Sequence, residues 1–184
     1  MKSKLDKKAV RKFIEESRDN GKIDQEIYDE LKVQYADKQS IALLITGIIT
    51  KENKKKYKPY NIILLVLLGF IFIASIFQKV DVSVFPLIIW LLFHTFIIVC
   101  IGLAIYAVAK YNVNAYKSCG IFVLFCMVSQ FDFQIFMAGN IFFLIDNIIF
   151  VVIIFLSFYL RNKMFPNHGQ KKLKKDADGN YIFS

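Results

Sequence analysis

A chain of 184 residues is enough for one modest domain, yet 56% of it is hydrophobic and 16% aromatic, with 19 phenylalanines. A soluble domain of that size has too little interior to hide so much apolar area, whereas a bilayer accepts it. The formal net charge of +9 is unevenly placed: 25 of the 39 charged residues precede Pro59, 8 lie from Arg161 onward, and only 6 fall between. That distribution excludes a disordered or collagen-like chain and points to a membrane protein.

The N-terminal residues Met1 to Arg11 are charged, but no apolar core of signal-peptide length follows, so the first span is expected to act as its own insertion signal. From Leu5 to Arg18, apolar groups at Leu5, Ala9, Val10, Phe13 and Ile14 recur with helical spacing, and Asp19-Asn20-Gly21 reads as a stop. Asp24 is placed to cap a second helix with Ile27, Leu31 and Tyr35 on one face. Two short helices around a glycine turn predict a helical hairpin.

Residues 13–35, FIEESRDNGKIDQEIYDELKVQY, combine a charged helix, Asn-Gly-Lys-Ile, an acidic cap and Tyr-x-x-Leu. The segment resembles the short helical hairpins of bacterial membrane proteins, of the short C-terminal and DUF2157-like types. The resemblance carries no chemistry. It implies a piece used for oligomerisation or docking.

Ser40 to Thr50 (SIALLITGIIT) is too short to span and unusually apolar for a loop. Two readings stand: it continues the second helix along the membrane surface, or it covers the apolar face of the hairpin. Residues 1–50 are therefore expected to form a cytoplasmic hairpin with a juxtamembrane segment.

Residues 59–160 are expected to hold a four-helix transmembrane domain. The first span, 60–77, has 18 uncharged residues and would reach about 27 Å, with Pro59 in its first turn. The second, 85–109, starts with Pro86 in the same role and is long enough to tilt. The third, 116–136, carries Ser129, Gln130, Asp132 and Gln134 near its far end; the alternative is that 130–140 dips back into the membrane. Gly139-Asn140 then makes a turn into the fourth span, 141–160, which contains Asp146 and Asn147.

After Leu160 comes a basic tail, 161–184, ending DADGNYIFS. Asp176-Ala-Asp178-Gly179 has the look of a calcium loop, but Lys174 occupies the first ligand position and the chain stops before a position-12 glutamate. A polar turn ahead of an exposed Tyr-Ile-Phe end is expected instead.

Orientation follows the lysines and arginines flanking the spans. Lys51 to Lys58 holds five lysines and one glutamate, 110–117 holds Lys110 and Lys117 with no acid, and Arg161 and Lys163 follow the fourth span, with Lys171, Lys172, Lys174 and Lys175 beyond. The opposite loops offer Lys79 against Asp81, and Asp132. Both termini are thus expected inside, in a bacterial inner (cell) membrane. Lys54, Lys55, Lys56, Lys58, Arg161 and Lys163 are expected to meet anionic lipid head groups.

Polar groups within the spans are costly and so candidate sites. His94, Asp132, Asp146 and Asn147 form such a set. His94 lies about 13 Å and Asp146 about 7 Å from the outer ends of their helices, so tilt can bring them level in the outer half. The competing reading is interhelical hydrogen bonding, with Asp132 solvated. Cys100, Cys119 and Cys126 read as buried small hydrophobes, and Cys100, Ala104 and Ala107 form a small-residue strip.

No nucleophile–base pair, HExxH, CxxC or nucleic-acid recognition element is present, so neither an enzyme, a cofactor, a metal nor a nucleic-acid partner is expected. The expected partners are the anionic bilayer and a second copy of the chain or another membrane protein. The function expected is that of a non-enzymatic accessory or regulatory protein docking a cytoplasmic partner. An immunity-type protein against a membrane-active toxin belongs to the same class. The alternative is a small transporter or channel subunit using the polar set.

Overall fold

The computed structural model describes residues 6–77, 87–130, 141–169 and 173–183. Among these residues it is predominantly helical: α1 (Lys7–Asp19), α2 (Asp24–Gln34), α3 (Lys38–Gly47), α4 (Lys51–Ile76), α5 (Leu87–Ala109), α6 (Val113–Gln130) and α7 (Ile141–Met164), followed by β1 (Lys174–Lys175) and β2 (Tyr181–Ile182). The chain divides into two compact units, Met1–Lys51 with Met164–Ser184, and Glu52–Lys163.

In the first unit, the Asp6 carboxylate caps α1 by accepting from the Lys8 and Ala9 amides at 3.0 and 3.2 Å. The helix ends where Gly21 takes φ +84°, with Gly21 N–H donating to the Arg18 carbonyl and Lys22 N–H to that of Ser17. That is a Schellman closure, which needs a residue tolerant of positive φ. The cap of α2 differs from expectation. Ile23 occupies the cap position and its N–H is held by the Glu26 carboxylate at 3.1 Å. Asp24 lies one residue inside the helix and binds Arg18 instead, at 2.8 and 2.9 Å. Arg18 also donates to the Ile45 and Ile48 carbonyls at 3.0 and 2.9 Å, tying α1 to the end of α3.

The segment after the hairpin forms a helix of its own. Tyr35 is extended, and Asp37 starts α3 by accepting from the Ser40 amide and hydroxyl. Of the two readings of this segment, covering the hairpin is the one observed. Ile41, Ala42 and Ile45 are fully buried against Val10, Ile14, Ile27, Tyr28 and Leu31.

The C-terminal Tyr-Ile-Phe end is not exposed as expected. β1 and β2 pair antiparallel around a turn in which Asp176 accepts from the Asn180 amide at 2.7 Å and Gly179 takes φ +74°. Tyr181 is buried and sets its ring edge-on to Tyr28, 6.0 Å between centroids, while Phe183 lies 5.3 Å from the same ring. The Tyr181 amide donates to the Tyr28 hydroxyl, the Phe183 amide to Gln25, and Lys38 to Asn180. Of the three residues Ile182 alone points outward. Alternation along a strand puts every second side chain inside, so a two-residue strand hides Tyr181 and shows Ile182. His168 adds a link, its Nδ1 lying 3.3 Å from the Thr46 hydroxyl.

In the second unit, α4 begins at Lys51, well before the apolar run, and Pro59 sits inside it rather than in its first turn. Lysine and glutamate are good helix formers, so the basic run extends the helix, and the missing proline N–H removes one bond to the residue four back. Helix α6 likewise starts early, at Val113, behind Asn112, whose side chain accepts from Asn114 N–H. Helix α7 runs past Leu160 to Met164. Helices Lys51–Ile76 and Phe143–Met164 are long and apolar enough to cross a membrane. Shorter apolar helices occupy His94–Ala109 and Val113–Val128. Pro86, the far end of the third predicted span and the Gly139-Asn140 turn lie outside the described residues.

Candidate functional site

The ends of α4–α7 that carry the basic residues come together. Asn61 on α4 accepts from the Tyr116 hydroxyl on α6 at 2.7 Å, with the two residues only 1% and 0% exposed. The same hydroxyl lies 3.4 Å from the Val108 carbonyl of α5. One buried polar contact therefore gathers three helices. Farther along, the Ser157 hydroxyl of α7 lies 3.7 Å from the Cys119 sulfur of α6, again buried. Beside it, a Cβ added at Gly120 would stand 2.9 Å from the Phe158 ring, so the glycine is what allows α6 and α7 to approach this closely.

Around that end, Tyr57, Tyr60 and Tyr159 form a triangle with centroids 6.1–6.5 Å apart. Lys54 covers the Tyr111 ring at 5.1 Å and Lys110 the Tyr106 ring at 5.9 Å. Lys54, Lys55, Lys56, Lys58 and Lys163 are exposed, and Arg161 is half-buried with its Nε lacking a protein partner. A groove of about 650 Å³ runs between α6 and α7 from Leu124 and Val151 to Asn162 and Lys163. Tyr159 and Lys163 border this apolar groove.

The described polar candidates of the predicted spans have different surroundings. Asp146 is exposed and lines a cavity of about 260 Å³ to which α4, α5, α6 and α7 all contribute. His94 is half-buried on α5 and is not among the residues lining that cavity. Asn147 spends its amide on its own helix, donating to the Phe143 carbonyl at 2.8 Å. Asp132 lies outside the described residues. Of the cysteines, Cys119 is buried while Cys100 and Cys126 are half-buried, and none of the three forms a disulfide. Among the described residues no group of three His, Cys, Asp or Glu is placed to hold a metal ion.

Sequence reasoning missed the Asn61–Tyr116 contact. Its one signal was a lone amide inside an otherwise apolar run, which in a low-dielectric setting demands a partner. Arg18 was missed too, since nothing in a charged amphipathic helix marks which cation will be drawn inward. Comparison with protein-family models, with curated proteins and with solved structures gives no match.

Proposed function

We propose that the chain is a four-span bacterial inner-membrane protein, with both ends in the cytoplasm, that docks a cytoplasmic protein through its first unit and performs no catalysis. The observation that carries the topology is the shared core of the two chain ends. Tyr181 and Phe183 pack on Tyr28, some 150 residues earlier, which supports both ends on one side and an even number of crossings between them. Burial supports the lipid setting. Just 17% of the most apolar stretch of α4, and of α7, is buried, unlike the core helix of a soluble protein. Val66, Phe70, Leu92, Phe96, Phe125 and Phe155 all face outward. The polar unit carries Ile23 and Val33 62% and 71% exposed, apolar side chains suited to docking.

Purification from membranes in mild detergent tests this. The wild-type chain is expected to stay with membranes through an alkaline wash and to bring a stoichiometric cytoplasmic protein with it. The double substitution Ile23→Asp and Val33→Asp should lose that protein while keeping membrane retention. Release by the wash would refute the spans, and a partner unaffected by the substitutions would refute docking at this surface.

A second reading, a small transporter or channel subunit, draws support from one observation: a carboxylate, Asp146, lines the cavity between the four helices.

A further inference from the structure

We propose that the cavity among α4–α7 binds a small lipophilic cation, an organic ammonium carrying one aromatic ring, with Asp146 as its counter-charge. The inference rests on the cavity of the second reading and not on movement through it. An absence of flux would end the transport reading and leave binding intact.

Volume comes first. The cavity is partly open and offers about 260 Å³. A dry apolar cavity of about 150 Å³ already accepts benzene. The space here therefore suits one ring with a compact head. The walls come from all four helices: Leu68 and Ile71 on α4, Ile101 on α5, Phe122 on α6 and Phe150 on α7 among them. Such walls reward an apolar body, and aromatic rings add attraction for a cation.

Charge then selects the ligand. The other polar lining groups are the Ser75 hydroxyl and the Cys119 and Cys126 thiols, and no lysine, arginine or histidine is among the described lining residues. An anion would be repelled by the Asp146 carboxylate, and a neutral guest would gain nothing from it. A bare metal ion lacks ligands, since no group of three suitable side chains is placed for it. A hydrated inorganic ion gains nothing from apolar walls. A single positive charge on an apolar body satisfies both the walls and Asp146.

Equilibrium dialysis of the full chain in lipid nanodiscs, against empty nanodiscs, tests the site with benzyltrimethylammonium and its uncharged isostere neopentylbenzene. Saturable binding of the cation by the wild type is expected. Asp146→Asn should weaken cation binding at least tenfold and leave the isostere unchanged, and Asp146→Glu should restore the cation. Ala104→Leu, which fills the cavity with a residue suited to a helix, should weaken both probes. No saturable binding by the wild type overturns the proposal, as does equal cation affinity in Asp146→Asn. The Ile23→Asp and Val33→Asp substitutions should leave cation binding unchanged, which separates failure of this site from failure of docking.

Discussion

The two units of the chain handle apolar side chains in opposite ways. In the first, Ile14, Ile27, Ile41 and Ile45 are wholly inside, and the charges of α1 and α2 face out or pair with one another. In the second, isoleucines, valines and phenylalanines cover the outside while Asn61 and Ser157 are buried. The same physical rule produces both patterns. Each unit hides what its surroundings solvate poorly, so the bilayer setting proposed for the second unit would account for its outward apolar face. Both interiors are mainly apolar; the first adds a charged clamp at its edge, the second a few buried hydrogen bonds and close helix approach.

The clamp gives the sharpest test of this contrast. Arg18→Ala removes four hydrogen bonds and strands Asp24 and two carbonyls; it should cost the first unit about 2–3 kcal/mol. Hydrogen exchange should show faster exchange across α1–α3, with α4–α7 unchanged. Matching loss in both units would break the picture of separate cores. A smaller effect is expected in the second unit. Asn61→Leu leaves the Tyr116 hydroxyl unsatisfied on one side and should cost about 1–2 kcal/mol, read as a lower unfolding midpoint in detergent. Adding Tyr116→Phe should recover most of the loss, because removing both partners leaves no buried orphan. Failure of the rescue would mean the pair positions the helices by shape instead.

The smallest effect concerns pH and belongs to the first unit. Hydrogen bonds from the Ser40 hydroxyl and amide hold the Asp37 carboxyl below its ordinary range, and the Asn180 amide does the same for Asp176. A folded-state value below the unfolded one means each contribution is full above the ordinary carboxylate range. It is lost as pH falls through the folded-state value. Acidification from pH 6 to pH 3 should therefore loosen α3 and the β hairpin modestly in hydrogen exchange. Asp37→Asn and Asp176→Asn should flatten that dependence.

How much of this was legible in the sequence depended on distance along the chain. Local patterns could be read: the α1 face and the Asn20-Gly21 stop come from spacing and backbone preference. The break between α2 and α3 could not, because Tyr35-Ala36 contains neither proline nor glycine. The early start of α4 was hidden since a lysine run suits a loop and a helix equally. Asp24 looked like a cap, and only the fold reveals that Arg18 claims it. Tyr181 on Tyr28, and Asn61 on Tyr116, join residues 153 and 55 apart, beyond the reach of any periodicity. Among the polar candidates, Asp146 and Asn147 are neighbours in sequence with different surroundings, one lining a cavity and the other bonded to its own helix.

The union of the two chain ends also sets an order of events during synthesis. Tyr28 leaves the ribosome early, and its cover, Tyr181, is made 153 residues later. At ordinary elongation rates that gap lasts roughly 8–30 s. Throughout that interval α1–α3 hold an uncovered aromatic surface while α4–α7 are being produced. Closure by residues 173–183 therefore waits until everything between has been made. A nascent chain that stalls before them would leave that surface open, a mark by which quality control can recognise it.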